Sequence, residues 1–140
     1  MADVIYNSFK RDIQNGSIDL DTDTIKVALV TSSYTPDQDA HDNFDDITNE
    51  VSGTGYTAGG ATLANKAVTA DNTDNEGVFD ADDVTWSSST ITARGAVIYK
   101  STGTASTSKL IAYVDFGSDK TSTAGNFTIQ WNAEGILNLN

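Results

Sequence analysis

The residues from Lys109 to Gly117 alternate with a period of two: Leu110, Ala112, Val114 and Phe116 fall on one side of an extended chain, Ile111, Tyr113 and Asp115 on the other. Such a segment needs neighbours for its backbone and a second layer over its apolar face. The rest of the chain offers both. Further strands are expected at Thr24 to Ser33, Ala61 to Ala70, Val78 to Trp86, Thr90 to Lys100, Phe127 to Asn132 and Gly135 to Leu139. In the first of these, Ile25, Val27 and Leu29 oppose Lys26, Ala28 and Val30. The separators DNTDNEG, SSS, STGTASTS and SDKTSTAG are all turn chemistry. Seven short strands joined mostly by hairpin-length loops predict a mainly β chain: an antiparallel β-sandwich or partly open barrel, folded as a single domain over 1–140.

Two segments depart from this rhythm. Between Asp3 and Asn15, the residues Ile5, Phe9 and Ile13 recur every four positions, which predicts a short N-terminal helix capped by Asp3 and stopped at Asn15-Gly16. Between Tyr34 and Val51, Ala40, Phe44, Ile47 and Val51 recur every three or four behind Pro36. Asp37, Asp39, Asp42, Asp45 and Asp46 lie opposite them, so a second short helix or helical loop is expected. Four glycines from Gly53 to Gly60 demand a loop or sharp turn. Ser101 to Ser108 is expected to form a projecting hairpin tip.

Composition narrows the function. Eight basic residues stand against twenty acidic ones, for a formal charge of −12, and Arg11 and Arg94 are the only arginines. Nucleic-acid backbones and anionic membranes need a positive field, so neither is expected as a partner. The absence of Cys excludes a disulfide framework, a thiolate nucleophile and a zinc knuckle. No apolar run is long enough to span a bilayer. Met1 to Ile5 carries an acid at Asp3 and lacks both a basic region and a long apolar run, so no signal peptide is expected and synthesis in a cytoplasm is the simplest reading.

Each reactive grouping has a plainer explanation. His41 shares a helical face with Asp37 and Asp45, as a metal or general-base site would, but a lone histidine lacks the further ligands zinc needs; a solvated acidic face is the simpler reading. Asp19, Asp21 and Asp23 open like a calcium loop, yet Thr24 stands where that loop needs Gly and Val30 where it needs Glu. Weak cation binding there, or at Asp71, Asp74 and Glu76, stays open; Asp80 and Asp82 read as edge solvation. The acid pairs Asp45-Asp46 and Asp82-Asp83 point apart on a regular element and do not flank a glycosidase cleft. The glycine loop lacks the Lys-Ser/Thr ending of a phosphate loop, and no GxSxG elbow exists. Trp86, Trp131, Tyr56 and Tyr99 could form a sugar platform, but their strand positions favour packing. No catalytic residue, cofactor or metal is therefore assigned. Apolar residues do crowd both chain ends, where strands and helices tend to fray. Ile5, Phe9, Ile13, Ile136, Leu137 and Leu139 are accordingly the expected association residues.

The strings GSIDLDTDTIKVALVTSSYTPD, NEVSGTGYTAGGATLAN, FDADDVTW, TITARGAVIYK, LIAYVDFG and FTIQWNAEGILNL run along nearly the whole chain. Together they resemble a family of small virion structural proteins of tailed bacteriophages, the head decoration or cement proteins. That resemblance implies a homo-oligomer, with a trimer at local threefold positions as the expected form, bound to the major capsid protein on the outer capsid surface and without catalysis. The long Pro/Thr-rich arm of some decoration proteins is absent here, so their mode of attachment does not carry over. Two alternatives belong to other classes. One is a tail- or fibre-associated virion protein that reads a glycan or another tail protein through the glycine loop and the Ser101 to Ser108 tip. The other is a glycan-binding or adhesin-like module unrelated to phage.

Overall fold

A computed structural model of the chain describes residues 3–140. Among these residues the fold is mainly β, in two antiparallel sheets with no closed barrel. Among the described residues the elements run β1 (Val4–Ile5), α1 (Asn7–Gln14), β2 (Ile25–Val30), β3 (Ala61–Thr62), β4 (Ala67–Asp71), β5 (Glu76–Asp80), β6 (Val84–Lys100), β7 (Lys109–Ile129) and β8 (Leu137–Leu139). The larger sheet has the order β1-β7-β6-β2-β3 and the smaller one β4-β5-β8. Of the segment read for a signal peptide, Met1 and Ala2 lie outside the described residues. No helix among the described residues is long and apolar enough to cross a membrane.

The larger sheet is covered on both faces. Ile25, Val27 and Leu29 join one apolar cluster with Ala96, Ile98, Phe79 and Leu137, which ties the larger sheet to the smaller. Ala28 and Val30 join a second cluster with Tyr6, Tyr34, Val97, Tyr99 and Tyr113, roofed by Phe44 and Ile47. The expected alternation of β2 therefore holds, but its second face is packed rather than wet. A central strand with two covered faces has to be apolar throughout, apart from the half-buried Lys26.

Several expectations are corrected. Asp3 does not cap the helix: its amide donates to the Tyr113 carbonyl, and Val4 and Ile5 pair with Tyr113 and Ala112. The helix begins only after Tyr6, whose extended backbone forms the N-cap. An edge pairing on β7 thus competes with the first helical turn for the same amides and wins. The stop at Asn15-Gly16 is where expected, with Asn15 as C-cap and Gly16 at φ +78°. Between Tyr34 and Val51 the only helical turn is a 3-10 turn at Phe44–Asp46. Here aspartates capture the backbone. Asp37 Oδ1 accepts from the Asp39 and Ala40 amides at 3.1 and 3.0 Å, and Asp46 Oδ2 from the Asp42 and Asn43 amides at 2.8 and 3.1 Å. Such local bonds offer the amides an alternative to a helix ladder.

Two expected turns lie inside long strands. The Ser87 to Ser89 stretch belongs to β6, where the register against β7 shifts on both sides of Ser89 and Ser88 takes φ +49°. SDKTSTAG is the middle of β7, paired through Thr121 with Thr92 and through Ser122 with Ile91. A bulge also interrupts the alternation from Leu110 to Phe116. Ile98 pairs with Ala112 and Tyr99 with Leu110, which leaves Ile111 as the extra residue. Leu110 thereby joins the face of Tyr113, while Ile111, Ala112 and Val114 pack on the other side. The expected strand Ala61 to Ala70 divides into β3 and β4, one in each sheet, and Val78 to Trp86 likewise divides between β5 and β6.

Candidate association site

The two chain ends meet. Phe9 and Ile13 lie four residues apart on α1, and Ile5 precedes them on β1; together they form one wall of an open groove of about 540 Å³. The other wall is a face of the smaller sheet. Val68 on β4 pairs with Phe79 on β5, which pairs in turn with Leu137 on β8, so three apolar side chains stand in a row across the strands. Leu139, paired with Gly77, extends that face where the glycine leaves the floor open. Lys10 is the only charged residue in the lining. Val68 and Leu139, 51% and 73% exposed, are the only large hydrophobic residues classed as exposed among the described residues, and both border this groove.

Five of the six expected association residues, Ile5, Phe9, Ile13, Leu137 and Leu139, thus converge. Ile136 does not. It is fully buried, and its amide donates to the Phe79 carbonyl at 2.8 Å. An alternating strand sends Ile136 opposite to Leu137, here into the core rather than the groove. Val68 and Phe79 were not legible as site residues, because their placement depends on the register of the β4–β5 hairpin. The available signal was Val68 itself, the one large apolar residue of β4.

The polar groupings lie elsewhere, and most of their side chains are engaged within the fold. His41 and Asp45 do not share a helical face, since no helix forms there. His41 Nδ1 instead lies 2.9 Å from the Tyr34 hydroxyl and 3.2 Å from the Asp37 amide, which donates to it. Backbone donors hold the Asp37 and Asp46 carboxyls below the usual range. Asp19 Oδ1 accepts from the Asp21 and Thr22 amides and its carboxyl is lowered by bonds to Thr22, while Asp23 pairs with Lys100 at 2.9 Å. Asp82 accepts from the Asn65 side chain and Asp83 from the Trp131 amide. Asp71, Asp74 and Glu76 bring carboxylate oxygens within 4.8 Å of one another at the β4–β5 turn, but Asp71 already accepts from Thr73 and Asp74, and Glu76 from Asn138. Both arginines are paired, Arg11 with Asp12 and Arg94 with Asp115, each through Nε, at 2.9 and 2.8 Å.

The aromatic residues pack inward. Trp86, Trp131 and Tyr99 are buried, and half-buried Tyr56 packs against Trp86 in a tilted pair, with ring centroids 6.0 Å apart. The Tyr56 hydroxyl donates to Glu50 at 2.6 Å and accepts from the Leu29 amide at 3.0 Å. Glu50 also takes the Gly59 amide at 2.7 Å, which fastens the glycine loop onto β2. The Ser101 to Ser108 tip is folded on itself around a 3-10 turn at Ala105–Thr107, with Ser108 Oγ accepting from the Thr102 amide and donating to the Thr104 carbonyl. A second cleft of about 510 Å³ runs along β7 beyond β1, with a mixed lining that includes Asp3, Asp115, Lys120 and Phe116. Comparison of the chain with protein-family models, with curated proteins and with solved structures finds no match.

Proposed function

We propose that this chain is a non-enzymatic phage head decoration protein, which binds the outer surface of the shell and stabilises contacts of the major capsid protein. The observation that carries this reading is the groove. Apolar residues from both chain ends meet there, and the two large exposed hydrophobics of the described residues stand at its rim. Exposed apolar surface collected at one place marks an interaction site, and a strand-rich scaffold holds that place rigid. Trp86, Trp131 and Tyr99 are buried, and Asp83 and Glu50 accept backbone amides within the fold. The formal charge of −12 suits an outward-facing surface that stays off DNA and keeps particles apart.

The test is attachment to purified heads from a phage that encodes this chain, prepared with and without it. Saturable, copy-rich binding to heads and none to host cells is expected, and particle reconstructions should show added outer density. Labelled protein that coats host cells but not heads would overturn the proposal in favour of a tail or fibre role. Hydrolysis of a glycan, abolished by a carboxylate substitution, would overturn its non-enzymatic character.

A further inference from the structure

We propose that the outer edge of β4 accepts an extended segment of the partner protein, in which apolar and polar residues alternate and a Lys or Arg passes the β4–β5 turn. The inference rests on the association reading above and specifies the chemistry of the partner.

Three features point to a strand as the occupant. First, β4 is the terminal strand of the smaller sheet, paired only with β5, and Ala67 to Ala70 are all exposed. Those residues, Ala-Val-Thr-Ala, contain no charge, proline, glycine or bulge, the devices by which sheet edges are ordinarily blunted. Strand addition at such an edge takes its affinity from main-chain hydrogen bonds and its specificity from alternate side chains. Second, the groove begins at that edge: Val68 faces it with Phe79 and Leu137 in register behind, so every second side chain of an added strand would continue an existing apolar row. Third, the opposite face ends in charge. Ala67, Thr69 and Asp71 lie on it, Asp71 pairs with Glu76, and Asp74 completes a group of carboxylates within 4.8 Å.

An added strand therefore meets apolar chemistry on one face and carboxylates at one end of the other. A second copy of this chain carries the same net charge of −12, whereas the carboxylates of Asp71, Asp74 and Glu76 favour a segment that is basic where it passes the turn.

The probe is a short synthetic peptide in which Val alternates with Thr and Lys stands at both ends on the Thr face. The intact chain is titrated and followed by its amide and methyl NMR signals. Saturable shifts are expected at the Ala67 to Asp71 amides and at the Val68 and Leu139 methyls. Replacing both Lys by Glu in the peptide should weaken binding at least about tenfold at low salt. N-methylating the peptide throughout, which leaves its side chains intact, should abolish binding, as should Val68→Asp, a change at an exposed site that the fold tolerates. The inference is overturned if the N-methylated peptide binds as well, if Lys-ended and Glu-ended peptides bind alike, if the shifts map elsewhere, or if no saturable binding occurs. Head attachment separates the two readings. Retention of head binding that Val68→Asp abolishes, with no peptide uptake, sinks only the strand mode; peptide uptake without head binding sinks only the capsid reading.

Discussion

At the scale of single residues, a backbone donor fixes a tautomer. The Asp37 amide can only donate, and it points at His41 Nδ1, so that nitrogen must carry its lone pair. The Tyr34 hydroxyl at 2.9 Å then donates to the same nitrogen and accepts from the fully buried Tyr6 hydroxyl at 2.8 Å. The neutral imidazole of His41 is expected as the Nε2–H tautomer, which ¹⁵N chemical shifts of the ring report; a dominant Nδ1–H form would contradict this hydrogen-bond arrangement. The tyrosines give a second prediction. Burial pushes the Tyr34 and Tyr99 hydroxyls up to about 12 and raises Tyr6, Tyr56 and Tyr113 as well. A hydroxyl raised in the folded state stabilises the fold fully below the unfolded value near 10 and loses that contribution as pH climbs towards the folded value. Stability should therefore fall above about pH 10, with tyrosinate absorbance appearing together with unfolding rather than before it. A tyrosinate step near pH 10 while the far-UV spectrum stays native would refute this.

At the scale of elements, the sequence exposes the stretches of strand whose apolar residues alternate and hides the Ser-, Thr- and Gly-rich stretches that join them. The β2 alternation was legible because the strand is short and regular. In β6 and β7 the runs of Ser, Thr and Gly look like turns, yet they sit in continuous ladders, because the side chains supply what the bulged backbone lacks. Ser89 Oγ lies 2.7 Å from Ser122 Oγ, 2.9 Å from the Gly125 carbonyl and 3.0 Å from the Trp86 carbonyl, with no exposure to solvent. Ser89→Ala should cost about 1–3 kcal/mol in denaturant unfolding, because it removes the one O–H available to the Trp86 and Gly125 carbonyls and the buried partner of the Ser122 hydroxyl. A loss no larger than that of Ser87→Ala would show that the bulge holds without this hydroxyl. The glycine loop was correctly expected to be irregular, but not to be docked. Gly60 sits at φ +79°, and a Cβ there would lie 1.9 Å from the Val27 carbonyl oxygen. Gly60→Ala should therefore destabilise by at least about 2 kcal/mol, since neither the backbone conformation nor the strand beneath can accommodate it. The acid-faced segment from Tyr34 to Val51 misleads for the opposite reason: its apolar spacing suits a helix, but its aspartates bind the amides that a helix would use.

At the scale of the whole molecule, the groove exists only because two sheets, one helix and both chain ends come together, yet five of its residues could be named from the crowding of apolar side chains near the ends. The burial gradient across these residues allows association to be separated from stability. Leu139 is 73% exposed, so Leu139→Asp should change the unfolding free energy by no more than about 0.5 kcal/mol. Ile136 is fully enclosed three positions away, so Ile136→Ala should cost about 2–5 kcal/mol. Phe9, 7% exposed, belongs both to the core cluster and to the groove, and Phe9→Asp should impair both properties. The expected pattern in head attachment differs from that in stability: Leu139→Asp abolishes attachment while remaining folded, whereas Ile136→Ala still attaches under conditions in which it stays folded. A Leu139→Asp variant that binds heads normally would remove the groove from the interface, however the other two behave, because that substitution alters the rim and leaves the core intact.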